Sequence, residues 1–405
     1  PLIMSEIAWH YGALGLYAES IKYIKKAMRL GRNDAWINIE YGACLAGLDK
    51  YEEAIEKFEY ALSLNDEDKD RDLAFTYGQL GCCHRNLENY EEAIKYLMLS
   101  KEEGRNDVWT NLELAMCYEN LEDYEKALEY ALVAYELDKD DIGAISEVAT
   151  IYDNLENYEE ALPFLLRAEE LGRNDEWINT EIALNLGRSG KTHEALERLE
   201  KSLALVDEDR INQIFINSEI AWNYGRLEEP HPEEALKYLN IAKELGREDA
   251  WIYSQIGYQL GYNLETRKEA LEHFDKALEL GQNDAWIFEM RGTILLDFKR
   301  YEEALDSFKK AYDLNDDSWY LYSIGRCLRG LGRYEEAIEV LLESRQLSLD
   351  EDDVVDGEDL ELAHCYLGLG DKDNAQKYLD LARDSIDKQG TLNDDIKREI
   401  EEIEK

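Results

Sequence analysis

The chain has 405 residues, 91 of them acidic and 45 basic, and a formal net charge of -46. That balance lacks the basic surface a nucleic-acid binder needs to neutralise phosphates and equally disfavours anionic membrane surfaces, and no apolar run approaches the length of a membrane span. With 45% hydrophobic residues and only 4 prolines, the chain is neither a disordered acidic tail nor a turn-rich β protein, and it is too long for one ordinary compact domain.

The chain opens on Pro1 with no secretory pattern, which reads as a processed or truncated piece of something longer. The segment SEIAWHYG at 5–12 belongs to the first predicted helix. The heptapeptide LGRNDAW follows at 30–36 and returns as EGRNDVW at 103–109, LGRNDEW at 171–177, LGREDAW at 245–251 and LGQNDAW at 280–286. In the first copy Leu30 ends a helix and Gly31 takes the left-handed angle that terminates it. Arg32 complements the negative C-terminal end, Asp34 caps the next helix, and Trp36 lies on its first turn. The heptapeptide is thus a helix stop plus a helix start. Downstream, Ile37, Tyr41, Cys44, Leu45 and Leu48 form one helical stripe, and Ala54, Phe58 and Ala61 form another. Asp49 is placed to cap the second helix, with Glu52 and Glu53 at its positive end.

Numbering a 34-residue unit from Ala35 puts Gly42, Ala54 and Ala61 at slots 8, 20 and 27. Carried along the chain, slot 8 runs from Ala8 to Ala363, slot 20 from Ser20 to Ala375 and slot 27 from Ala27 to Ala382. All 33 positions are Gly, Ala or Ser. The chain therefore reads as eleven two-helix repeats starting near residues 1, 35, 74, 108, 142, 176, 214, 250, 285, 318 and 356. Small residues let paired helices approach closely, and one pair cannot bury its own stripe, so neighbours must stack. The first eight repeats alternate in character, the joints into odd repeats being acidic: 65–72, 138–141 and 206–210. The stretch 350–359 is expected to be the longest irregular joint. Residues 391–405 read as a capping helix with Ile396, Ile400 and Ile403 on one face, after a solenoid over 1–390.

Small slots 8 and 27, Ala at slot 20, and a bulky apolar slot 24 (Phe58, Leu97, Phe274, Phe308, with Ala131 the exception) resemble the tetratricopeptide repeat, as does Tyr at slot 17 in Tyr51, Tyr90 and Tyr124. The resemblance covers residues 1 to about 385. It implies an all-α, right-handed superhelical solenoid with a concave groove that binds peptides or protein surfaces, faced by slots 2, 5, 6, 9, 12 and 13. Two departures stand out. The family's slot-4 Trp is replaced by Asn38, Asn111, Asn179 and Asn217, and its slot-32 Pro by Arg32, Arg105, Arg173 and Arg247. The family's carboxylate clamp, Lys and Asn at slots 5 and 9, is missing: those slots begin Ser5 and Trp9, then Ile39 and Ala43.

Five cysteines (Cys44, Cys83, Cys117, Cys327, Cys365) fall on slot 10, which makes them packing residues, and adjacent Cys82 and Cys83 are too close for an ordinary disulfide. The six histidines show no ligand spacing. Asp66, Asp68 and Asp70 begin like a calcium loop, but Arg71 and Tyr77 stand where Gly and Glu are required. No catalytic constellation, metal site or cofactor motif is assigned. The candidate ligand surface is the slot-2 tryptophans Trp36, Trp109, Trp177 and Trp251 with the slot-6 carboxylates Glu40, Glu113, Glu147, Glu181 and Glu219. Slots 2 and 6 are helical neighbours. Two readings stay open: an aromatic, acidic groove for cationic ligands, or tryptophans packing the joints beside a solvated Glu face. Asn86, Asn120 and Asn154 at slot 13 read as helix-ending residues. The expected function is a cytoplasmic, non-enzymatic scaffold or adaptor for a basic or amphipathic protein or peptide; the alternative is the peptide-sensing portion of a larger regulatory protein. Uncovered Ile3 and Ile7 imply either upstream sequence or self-association through the first repeat.

Overall fold

The structure, a computed structural model, describes residues 1–64, 73–350 and 356–389. The joint 65–72, with Asp66, Asp68 and Asp70, and the segment 391–405 lie outside the described residues. Among those described there are twenty-two α-helices and no strand. They form an α–α solenoid divided into two compact units, Pro1–Leu205 and Val206–Lys405. The first unit holds α1 (Leu2–Ala13), α2 (Tyr17–Arg29), α3 (Ala35–Ala46), α4 (Tyr51–Ser63), α5 (Leu73–Asn86), α6 (Tyr90–Glu102), α7 (Val108–Asn120), α8 (Tyr124–Leu137), α9 (Ile142–Asn154), α10 (Tyr158–Glu170), α11 (Glu176–Arg188) and α12 (Thr192–Leu205). The second holds α13 (Arg210–Gly225), α14 (Pro232–Glu244), α15 (Ala250–Gly261), α16 (Arg267–Glu279), α17 (Ala285–Asp297), α18 (Tyr301–Leu314), α19 (Ser318–Gly330), α20 (Tyr334–Asp350), α21 (Asp356–Gly368) and α22 (Lys372–Gln389). Within each unit every helix packs on the next. First helices of neighbouring repeats also touch, as α5 touches α7 and α7 touches α9.

Every residue at slots 8, 20 and 27 is buried. Slot 8 meets slot 24 of the same repeat, and their sizes trade off. A Cβ on Gly42 would stand 2.8 Å from the Phe58 ring, one on Gly81 2.5 Å from Leu97, and one on Gly292 3.0 Å from Phe308. Each phenylalanine at slot 24 therefore has glycine opposite, while Ala149, Ala183 and Ala221 accompany leucines. Serine replaces alanine without an unpaired hydroxyl: Ser100 donates to the Ala74 carbonyl at 2.6 Å, Ser202 to Glu176 at 2.8 Å and Ser344 to Ser318 at 3.0 Å. These are slot-27 side chains tying down the first residue of their own repeat.

The turn inside the repeat needs a left-handed residue at slot 15. Gly15, Gly190, Gly332 and Gly370 supply it, but so do Asp49, Glu88, Glu122, Glu156 and Lys299, with φ between 57° and 61°. Asp49 is thus no cap for α4: it lies one residue before the N-cap Lys50, and its carboxylate accepts from the Tyr51 hydroxyl at 2.8 Å. Asn86, Asn120 and Asn154 are the last residues of their helices; Asn86 and Asn120 donate to the Cys82 and Met116 carbonyls at 2.8 Å.

Two expected boundaries shift. Helix α13 starts at Arg210, because Asp209 accepts from the backbone of Ile211 and Asn212 and caps one extra turn. Asp356 to Asp359 are helical rather than irregular. Buried Glu358 accepts from Ser344 at 3.0 Å, and buried Asp359 pairs with Arg345 at 2.6 Å. Among the described residues no helix is long and apolar enough to cross a membrane.

Candidate functional site

The joint heptapeptide builds a small, repeated device. Gly31, Gly104, Gly172, Gly246 and Gly281 all have positive φ. The following Asp34, Asp107, Asp175, Asp249 and Asp284 each accept a backbone N–H of the helix they cap. The intervening arginine does more than face a helix end. Arg32 donates to Asp34 at 2.8 Å and lies 4.5 Å over the Trp36 ring. Arg105 and Trp109 stand at 4.4 Å, Arg173 and Trp177 at 3.8 Å, and Arg247 and Trp251 at 3.9 Å. A guanidinium on an indole face is attractive through the ring quadrupole. The four tryptophans are half-buried with that face covered. The slot-4 asparagines complete the joint. Asn38, Asn111 and Asn179 are buried and donate to the Asp34, Asp107 and Asp175 carbonyls, each at 2.8 Å.

The slot-6 column is not a solvated face. Glu113 is buried and Glu40, Glu147, Glu181 and Glu219 are half-buried. Glu113, Glu147, Glu181 and Glu361 sit opposite slot 12 of the preceding repeat, and slot 12 changes sign from Arg85 to Glu119 and Asp153 along the first unit. Arg85 holds Glu113 by two bonds, at 2.7 and 3.3 Å. The same pairing recurs between Arg329 and Glu361 in the second unit. One repeat beyond Glu113, however, Glu119 stands where an arginine stood, facing Glu147. Burial and the Glu119 charge push the Glu147 carboxyl up to about 8, against partial relief from Arg85. The Glu119 carboxyl is raised too, by burial, while Asn154 donates to it at 2.8 Å. One oxygen of Glu147 has no hydrogen-bond partner. At the next rung Glu181 meets Asp153, and burial and that neighbour raise it to about 7. Arg188 grips both oxygens of Asp153 at 2.8 and 2.9 Å. The column therefore holds an ion-paired carboxylate and then two carboxyls that keep their protons near neutral pH.

The slot-10 cysteines are buried and unpaired. Burial raises the thiols of Cys83, Cys117, Cys327 and Cys365 to about 12, far from the reactive thiolate form.

In the second unit the first helices and one joint border an open pocket of about 360 Å³, lined by Trp222, Trp251, Tyr258 and Trp286 and by Gln255, Gln259 and Gln282. A neighbouring cavity of about 300 Å³ shares Tyr258 and reaches Tyr262, Phe274 and Met290. Of these residues only Trp251 was legible as a candidate. The signal that could have found the rest was LGQNDAW, where glutamine replaces the arginine of the other copies.

The geometry defines a helical-repeat protein whose first helices line up successive side-chain columns. Three family models, each described as tetratricopeptide repeat, match residues 33–102, then 262–319 and 290–350, then 110–141 and 360–382. The chain belongs to the tetratricopeptide-repeat proteins. A solved C-terminal part of a TPR repeat-containing protein from Cytophaga hutchinsonii is similar in fold, with TM-score 0.51 and 16% identity, over 62% of this chain and 99% of that one. A tetratricopeptide repeat protein from Parabacteroides merdae matches at TM-score 0.46 and 17% identity, over 64% and 98%. YrrB, described as a TPR protein with an unusual peptide-binding site, matches at 0.40 and 21%, over 47% and 95%. No curated protein matches the chain.

Proposed function

We propose that this chain is a non-enzymatic scaffold that holds a segment of a partner protein against its first helices, and that a basic side chain of that segment seats between Glu119 and Glu147. The observation behind this reading is the register of slots 12 and 6. Arg85 and Arg329 occupy the first position opposite Glu113 and Glu361, so the protein itself completes those rungs. At Glu119 and Glu147 it supplies two carboxyls and no cation bonded to them, since Arg85, which eases Glu147 through its charge, is held by Glu113. Like charges in a half-buried site cannot both ionise cheaply, so one keeps its proton. An incoming guanidinium or ammonium lets both ionise and gains charge-assisted hydrogen bonds. Glu181 beside Asp153 offers a second, weaker seat one repeat further, weaker because Arg188 already holds Asp153.

The joint tryptophans serve this reading as supports. Their guanidinium-covered faces fix the start of each first helix and so the spacing of the rungs.

Glu119→Arg tests the proposal directly, because it installs at this rung the cation that Arg85 supplies at the previous one. A capped peptide carrying two arginines is titrated into wild type and variant. Wild type should bind, and more weakly as salt rises. The variant should bind at least about tenfold more weakly, equivalent to about 1.4 kcal/mol, while remaining folded. Equal affinities would place recognition elsewhere.

A further inference from the structure

We infer that the second unit carries a separate recognition site for an uncharged aromatic side chain and its flanking main-chain amides, seated among Trp222, Trp251, Tyr258 and Trp286. This site lies within Val206–Lys405 and does not depend on the carboxyl rung of the first unit.

Three departures from the repeat's own pattern converge here. In four copies of the joint an arginine covers the tryptophan face. In the fifth the residue is Gln282, whose amide donates to the capping Asp284 at 3.0 Å while its carbonyl oxygen stays unpartnered. Trp286 packs at the edge of the core and meets two rings, Tyr258 at 5.8 Å and Phe274 at 6.3 Å. At slot 6, where Glu stands in the preceding repeat, this repeat has Gln255. One turn on, Gln259 is only 4% exposed and its side-chain oxygen has no partner. Its amide packs so closely on Gly225 that a Cβ there would lie 2.8 Å from Nε2. Glycine is what lets that amide stand at the cavity wall.

A buried amide oxygen without a partner loses its hydration and gains nothing in return, so Gln259 is costly without a donor and favourable with one. The ligand must therefore bring N–H groups. It must also be apolar between them, because indole and phenol rings form the walls and bury large areas against another ring. It must be neutral at this point. In a chain of charge -46, the charged lining residue is Arg226, 5.8 Å from the Trp222 ring, which disfavours a cation. About 360 Å³ sits at the small end of ligand pockets, roughly 300–1,000 Å³. That admits one ring with its backbone, and the cavity beyond Tyr258 takes a following apolar residue.

The probe is N-acetyl-phenylalaninamide, followed by ligand-observed saturation-transfer NMR, with N-acetyl-alaninamide and N-acetyl-lysinamide as controls. The phenylalanine amide should bind and both controls should be at least about tenfold weaker. Gln282→Arg restores the guanidinium that other copies carry, so it should keep the fold and still cut binding about tenfold or more. Trp222→Ala removes a ring that is 41% exposed and should also weaken binding, with helical content unchanged. No binding by wild type, equal binding of the lysine amide, or an unchanged affinity in both variants would overturn the proposal. None of these outcomes bears on the Glu119 rung.

Discussion

At the scale of single residues, two positions decide the packing of a repeat. Slot 8 and slot 24 share one volume: each phenylalanine has glycine opposite, whereas leucine is found opposite either glycine, as at Gly81 and Gly325, or alanine. Gly42→Ala should cost about 1–3 kcal/mol by overpacking against Phe58. Combined with Phe58→Leu it should cost less than the two changes summed, because alanine opposite leucine is a pairing the other repeats use. A denaturant double-mutant cycle reads the coupling, and strict additivity would contradict the shared volume. The small-residue lattice was legible because three slots repeat without exception. The trade with slot 24 was not, since it needs to be known which slot faces which. Titration gives a second residue-scale test. Glu147 and Glu181 keep their protons to about 8 and about 7 when folded, against an ordinary 4.5. Between 4.5 and those values the unfolded chain binds fewer protons than the folded one. Stability from these groups is therefore greatest below 4.5, falls through the window and is flat above it. The melting temperature should drop between pH 5 and pH 8, and Glu147→Gln with Glu181→Gln should make that drop shallower. An unchanged slope would mean that neither carboxyl is held protonated.

At the scale of elements, each helix is set by its ends. The joint between repeats was readable almost letter by letter, since Gly31 and Asp34 act through backbone geometry that sequence encodes locally. Arg32 was only half readable. Its partners are the cap two residues away and a ring four residues away, brought together by the turn rather than by helical spacing. The turn after Asn86, Asn120 and Asn154 was legible, but its left-handed residue at slot 15 was not, because Glu122 and Glu156 carry no sign of a backbone that glycine usually takes. That conformation costs a non-glycine residue roughly 1–2 kcal/mol, and glycine gives back about 0.5–1 through its freer unfolded chain. Exposed Glu156→Gly should thus stabilise by about 0.5–1 kcal/mol, in the manner of Gly190 at the same slot. A loss of stability on thermal or urea melting would show that the turn is unstrained. The slot-6 and slot-2 columns were legible as columns. Their chemistry was not, because it depends on slot 12 of the preceding repeat and on which copy of the joint carries glutamine.

At the scale of the molecule, the charge of -46 sets a self-repelling background. Added salt should raise the melting temperature by screening it, while weakening any basic ligand. The central claim is that the first unit presents a rung short of one cation, which a partner's basic side chain completes as a proton leaves. Calorimetric titration of the two-arginine peptide at pH 7, in buffers of different ionisation enthalpy, counts that proton directly. Wild type should release a substantial fraction of a proton per peptide bound, and Glu119→Arg should release almost none at any residual binding. Binding with no proton release in wild type would contradict the account, because Glu147 would then already be ionised before the cation arrives.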